Sequence, residues 1–330
     1  MTEKMRLSCL TPAPLSGLHM DILSDKELDD LHDSTLQVLE KTGLFIENDA
    51  ALACFETAGA KVNRNKGIVK IPPQLVEDAI QSAPSKVLLA GRDPKHDLVL
   101  GENRVHFTNF SEGVKINDPY TAENRSPVKQ DLVNAARVID YLDEIDFCEK
   151  AIGAHDVPLE TVPLHNAEAF LTNTTKHCAF GPGNGNLLKK IMEMAAIIVG
   201  GAKRLAERPI VSFTTCPVSP LKLISECCEI IMASAKNNVV CNILSMAMAG
   251  ATSPATLAGT LVTHNAEILG GITLSQLTHR GAPVIYGSST TAMDLKLAEA
   301  SLGTPECALI SGAVARLARY YALPSYVAGG

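Results

Sequence analysis

The chain has 330 residues, 46% of them hydrophobic, and a formal net charge of −7, enough length and apolar content for a large core of the size of a barrel with an N-terminal extension. The 29 Lys and Arg are scattered and form no basic stripe, which argues against a nucleic-acid partner. No apolar run followed by a small-residue cleavage site opens the chain, and no stretch approaches the roughly 18 apolar residues of a membrane span, so a cytoplasmic protein without a membrane partner is expected.

Nine cysteines, an odd number with no CxxC pair, fit reduced thiols better than a disulfide framework. Along the chain, Ser24 and Glu27 form a capping-box pattern ahead of apolar Leu28, Leu31, Val38 and Leu39, with Gly43 placed to stop the helix. Residues 49–58 predict a second helix closed by Gly59, residues 67–71 alternate like a strand, and Pro72-Pro73 starts a further short helix. Residues 86–90, 98–100 and 104–108 predict short strands. Residues 1–125 are therefore read as an α+β extension.

From Ser126 onward short apolar runs alternate with loops and helical segments, the pattern of consecutive βα units. The predicted strands are residues 145–152, 177–181, 210–214, 239–244, 284–287 and 322–328. Ser126-Pro127, Ser219-Pro220, Ser253-Pro254 and Thr304-Pro305 each place a hydroxyl before a proline and predict helix starts. The expected fold class is α/β: a (β/α)₈ TIM-type barrel over residues 126–330, incomplete at the C-terminus with about six of eight units. An open doubly wound sheet of six strands is the alternative.

GPGNGN, Gly181 to Asn186, follows a predicted strand and precedes a helix, but Asn186 stands where the dinucleotide fingerprint needs glycine, so a rigid βα turn is expected. His177, Cys178, Cys216 and Cys241 are candidate zinc ligands, with packing the preferred role and no metal expected. His264 and His279 read as hydrogen-bonded polar groups on or near helices. Met246 and Met248 follow a strand in a small-residue loop. YGSSTTAMD, Tyr286 to Asp294, is the most informative stretch, a strand delivering small hydroxyls and an acid into one βα loop, followed by GTPE at the next helix start.

At YGSSTTAMDLK, the GTPE helix start and the terminal LPSYVAGG, with TGLFIEN and GAKVN near the N-terminus, the sequence resembles the trimethylamine methyltransferase family from about residue 10 to its end. The resemblance implies a (β/α)₈ barrel that demethylates trimethylamine in methanogenic metabolism and passes the methyl group to a corrinoid held by a cognate corrinoid protein, with no cofactor bound directly. It also implies a pyrrolysine just after Gly330, followed by the last barrel units, so that the present chain lacks the central catalytic residue. Relatives without pyrrolysine act on quaternary amines such as glycine betaine. A zinc-dependent corrinoid methyltransferase or an inactive early-termination product are the other readings.

Within these residues Asp294 and Glu306 are the candidate catalytic carboxylates, balancing charge on the ammonium. Tyr286, Tyr326 or Phe180 would face that cation, at about 0.5–2 kcal/mol for a cation–π contact. Thr214, Thr215, Ser288, Ser289 and Thr290 would hydrogen-bond an imine nitrogen or polar parts of the corrinoid. A homo-oligomer is expected.

Overall fold

A computed structural model describes residues 21–101, 104–109, 111 and 113–328. Ser24 and Glu27 bond reciprocally, each side chain accepting the other's amide, and open helix α1 (Asp25–Gln37) as the capping pattern predicts. The helix widens into one loose turn and stops at Gly43, where φ is 83° and a Cβ would collide with the Val69 carbonyl. Strand β1 (Leu44–Ile46), helix α2 (Asp49–Thr57), strands β2 (Lys61–Asn63) and β3 (Ile68–Lys70) and helix α3 (Pro73–Ser82) follow. β3 pairs antiparallel with both β1 and β2.

Next come β4 (Val87–Leu89) and β5 (Leu98–Leu100), which pair with each other. The strand expected over residues 104–108 is not formed. Asp146 takes the Phe107 amide and the Thr108 hydroxyl bonds the Phe147 carbonyl, so side chains replace the ladder and one bridge, Thr108 to Phe147, remains. A small hairpin of β6 (Ile116–Asn117) and β7 (Asn124–Arg125) leads into the βα succession.

That succession is α4 (Lys129–Tyr141), β8 (Cys148–Glu149), α5 (Val162–Asn173), β9 (Cys178–Phe180), α6 (Gly185–Val199), α7 (Ala202–Glu207), β10 (Val211–Thr215), β11 (Lys222–Leu223), α8 (Ser225–Lys236), β12 (Cys241–Ser245), β13 (Met248–Ala249) and α9 (Leu257–Thr278). It continues with β14 (Val284–Ser288), β15 (Thr291–Asp294), β16 (Glu299–Ser301), α10 (Pro305–Tyr320) and β17 (Ser325–Val327). All six strands predicted from apolar runs are found, as β8, β9, β10, β12, β14 and β17.

The chain forms two compact units, Leu88–Thr214 in one and, in the other, residues 21–87 with 215–328. In the first, β8, β9 and β10 run parallel, with Cys148 opposite Cys178 and Cys178 opposite Val211. In the second, β12, β14 and β17 run parallel, with Leu244 opposite Gly287 and Gly287 opposite Tyr326. Parallel strands need helices on the connecting crossovers, which the alternation supplies. Helix α9 is buried nearly all round, from Thr260 to Gln276, because α1, α3, α8 and β12 pack about it.

The prolines predicted to start helices do so in one case of the four. Thr304 caps α10 with Pro305 at its first position. Val128 rather than Ser126 flanks α4, and Thr256 rather than Ser253 caps α9. Ser219-Pro220 lies in the loop between β10 and β11, where the Ser219 hydroxyl is engaged by Glu267 instead of a helix amide. The stretch after β14 is likewise not an open loop: β15 and β16 form a hairpin, and β15 also runs parallel to β13.

Candidate active site

Side-chain direction alternates along each strand, so a contact on one residue fixes the face of its neighbours. In the second unit the Ser245 hydroxyl donates to Glu267 Oε2 at 2.6 Å and the Tyr286 hydroxyl donates to Asn265 Oδ1 at 2.7 Å, both acceptors on α9. Ser245, Tyr286 and Ser288 thus face the helix layer. Asn242, Leu244, Gly287 and Tyr326 face the other way, as do Met246 and Ser289 just beyond the strand ends. A Cβ on Gly287 would collide with Asn242 Oδ1 and come within 2.9 Å of the Ile243 carbonyl oxygen, so glycine is required for these strands to lie this close. The C-terminal ends therefore present Met246, 40% exposed, with half-buried Ser289 and Tyr326. Ligands of parallel α/β sheets bind at this end.

Beneath these ends lies a polar cluster. Glu267 is 0% exposed and accepts three hydrogen bonds: from the Leu221 amide at 2.9 Å, the Ser219 hydroxyl at 2.9 Å and the Ser245 hydroxyl. Burial raises its pKa, opposed by those three donors. One turn earlier on α9, His264 Nδ1 lies 2.9 Å from Thr290 Oγ1. That hydroxyl donates to the Ser245 carbonyl at 3.3 Å, which makes Nδ1 the protonated ring nitrogen and Nε2 a bare acceptor, with no hydrogen-bond partner among the described residues. Burial pushes the His264 pKa down to about 3, so the ring is neutral. The Ser245 carbonyl also accepts the Ser289 amide at 2.9 Å, and Ser288 Oγ accepts the Thr290 amide at 3.1 Å.

The predicted residues divide accordingly. Ser289 and Tyr326 stand on the strand-end face. Ser288 and Thr290 engage their hydroxyls inside the cluster, and Thr215 faces α8, where it bonds the Cys227 thiol, whose pKa burial raises to about 12. Tyr286 is 0% exposed, packed against His264 and Tyr321 with ring centroids 5.4 and 6.0 Å away, and its phenol pKa is raised by burial; its ring is a core element, not a surface for a cation. Asp294 Oδ1 accepts the amides of Lys296 and Leu297 and shapes the turn of the β15–β16 hairpin. Glu306 is exposed in the first turn of α10, where a carboxylate favours the helix dipole by about 0.3–1 kcal/mol.

In the first unit, Thr214 is half-buried on the face opposite Phe213, at the end of β10. Phe180 packs edge-on against Phe170 of α5, which takes it away from that face. His177 is fully buried, with Nδ1 donating to the Ala90 carbonyl and Nε2 accepting from Ser212, and burial lowers its pKa to about 4. Cys178 sits beside Cys148, Cys241 is buried with its pKa raised to about 12, and Cys216 is exposed. Among the described residues no group of three or more His, Cys, Asp or Glu is arranged to hold a metal ion. Asn184 accepts the amides of Asn186 and Leu187 and caps α6, which makes GPGNGN a helix-start turn. No helix of the described residues is long and apolar enough to cross a membrane.

Sequence reading missed Glu267 and Glu149, the latter 5% exposed on β8 with its backbone held both ways by Asn109. For Glu267 a signal existed: it is the one charged carboxylate or ammonium side chain in the 22 residues of α9.

A family profile described as Trimethylamine methyltransferase (MTTB) matches residues 5–330. The chain is 50% identical over 318 residues to trimethylamine methyltransferase MttB of Desulfitobacterium hafniense, covering 96% of this chain and 64% of that protein. It is 40% identical to MttB1 of Methanosarcina mazei, covering 96% and 65%, and 32% identical to a glycine betaine methyltransferase of D. hafniense, covering 94% and 64%. The chain thus spans a little under two thirds of the length of these relatives. Its fold is similar to the crystal structure of the Methanosarcina barkeri monomethylamine methyltransferase MtmB, with a TM-score of 0.51 at 14% identity over 91% of this chain and 65% of that one. Profile, identity and coverage agree, and the chain belongs to the trimethylamine methyltransferase family.

Proposed function

We propose that the chain forms the front of a methyltransferase that takes a methyl group from trimethylamine and gives it to the Co(I) corrinoid of a cognate corrinoid protein. The observation that carries the reading is the 50% identity to a trimethylamine methyltransferase along nearly the whole chain, against 32% to the betaine enzyme. In this reading the βα succession from residue 126 onward is the front part of a (β/α)₈ barrel. The further length of the relatives supplies its last units and, as the resemblance implies, a pyrrolysine following Gly330.

When presented by its own protein, the corrinoid supplies the nucleophile toward the methyl carbon. Ser289, Met246 and Ala328 at the strand ends are small or unbranched and fit the approach of a flat macrocycle, with the Ser289 hydroxyl available to its polar edge. The chain's work is alignment: it holds the amine so that methyl and nitrogen lie in line with the incoming nucleophile, and it excludes water. Asp294, at the end of β15, and Glu306, in the first turn of α10, add negative potential on the strand-end side and favour arrival of a cationic amine. Tyr326, half-buried at the strand ends, offers the aromatic ring there, in place of Tyr286.

The test is product analysis with the full-length enzyme and its corrinoid protein. Trimethylamine should yield dimethylamine, with glycine betaine inert; demethylation of glycine betaine alone would move the chain to the quaternary-amine branch. Intact mass with fragmentation across Tyr326–Gly330 tests the continuation, which predicts a lysine-derived residue after Gly330.

A further inference from the structure

We infer that one turn of α9, carrying His264 and Glu267, is the positioning element of the strand-end face, fastening the loops after β10, β12 and β14 so that their outward side chains are presented in register. This rests on the methyltransferase reading for what is presented, but its geometry is independent of it.

Residues three apart on a helix share a face. His264 and Glu267 turn that face toward the ends of β12 and β14, and both are 0% exposed. Glu267 reaches the loop after β10 through Ser219 and Leu221, and the last residue of β12 through Ser245. Ser245 is the hub: its carbonyl receives the Ser289 amide and the Thr290 hydroxyl from beyond β14, and Thr290 is held in turn by His264. Three successive loops, with their outward residues Cys216, Met246 and Ser289, thereby hang on two side chains of one helix turn.

A buried carboxylate is a poor choice for stability, because apolar packing of the same shape is commonly as stable or more so. What Glu267 supplies is direction. Its two oxygens fix which face Ser245 takes, and a slip of one residue at a strand end would exchange Ser245 for Met246 and Ser288 for Ser289. The mechanism proposed above needs those outward residues held, since misplacement by about 1 Å lowers a rate by about a hundredfold.

The variants are Glu267→Gln, which keeps size while replacing one acceptor oxygen by a donor, and the milder Ser219→Ala at a half-buried site, in full-length enzyme with Cys9→Ser and Cys54→Ser. Two readouts are taken: kcat and KM for trimethylamine with the corrinoid protein, and the rate at which an aromatic disulfide labels Cys216. The expected result is a fall in kcat of about ten- to a hundredfold with KM changed by less than about threefold, and faster Cys216 labelling at a melting temperature still well above the assay temperature. Unchanged kcat in both variants overturns the proposal, whatever the labelling does. If the parent enzyme fails to demethylate trimethylamine, labelling decides: acceleration upholds the fastening role while the substrate reading falls, and no acceleration overturns the fastening role as well.

Discussion

Replacing Tyr286 by phenylalanine removes one oxygen from the centre of a buried network. Its hydroxyl donates to Asn265 Oδ1 at 2.7 Å, while Asn265 Nδ2 donates to Thr35 Oγ1 at 2.9 Å and to the Tyr321 hydroxyl at 2.8 Å. Asn265 is 0% exposed, so in the variant its carbonyl oxygen has no water to turn to. Leaving such an acceptor unsatisfied costs about 1–3 kcal/mol, more than a mean hydrogen bond contributes, because the desolvation of the oxygen is no longer offset. For a cooperative unit of this size that is a fall in melting temperature of about 2–12 °C. Thermal melts followed by circular dichroism measure it, and steady-state kinetics of the full-length enzyme give the second half of the test. Because the ring lies in the helix layer, KM for the amine should stay within about twofold of the parent value. An unchanged melting temperature with a clearly raised KM would refute the reasoning and return Tyr286 to the substrate.

Gly287→Ala forces a Cβ to within 2.9 Å of the Ile243 carbonyl oxygen and onto Asn242, so β12 and β14 must part; a destabilisation of about 1–3 kcal/mol is expected in urea titration. Asn184→Ala leaves the Asn186 and Leu187 amides at the start of α6 without their acceptor and should cost about 1 kcal/mol by the same titration. Burial holds the His177 pKa at about 4, below its ordinary 6.5, so the unfolded chain takes up a proton at a pH where the folded one does not. The stability from His177 is therefore complete above pH 6.5 and is lost as pH falls toward 4, by about 3 kcal/mol, with His264 acting in the same direction. Urea midpoints at pH 7 and pH 4.5 should differ accordingly, and less so in His177→Gln.

Much of the architecture is legible in apolar runs. The strands at Cys148, Cys178, Val211, Cys241, Val284 and Ser325 are fully or partly covered segments bounded by turns, and such runs have few alternatives once helices alternate with them. The β15–β16 hairpin was hidden because its turn is made by one side chain, Asp294, bonding two amides, and Leu295 and Leu297 at the turn carry no Gly or Asn-Gly signal. Ser-Pro pairs misled for a related reason: a hydroxyl before proline suits a cap, yet the Ser219 hydroxyl is held by Glu267, a partner 48 positions away.

For the candidate site, the cluster of hydroxyls at residues 288–290 was placed at a strand end from sequence, but not which of them turns outward. That depends on a one-residue phase set by Ser245 and Glu267 across the fold, and phase is what a local pattern leaves open. Glu267 itself carried a readable mark, a lone acid in an otherwise uncharged apolar helix. Asp294 and Glu306 drew attention as carboxylates near a predicted loop, whereas Asp294 bonds the amides of a turn and Glu306 stands exposed at a helix start.

The most direct measurement uses trimethylamine labelled with ¹³C in its methyl groups, full-length enzyme from its native host and the cognate corrinoid protein reduced to Co(I). The expected result is one labelled methyl group on the corrinoid for each dimethylamine formed, with no transfer when the enzyme is omitted. Dimethylamine without a methylated corrinoid, or no demethylation at all by enzyme shown intact by mass, would contradict it.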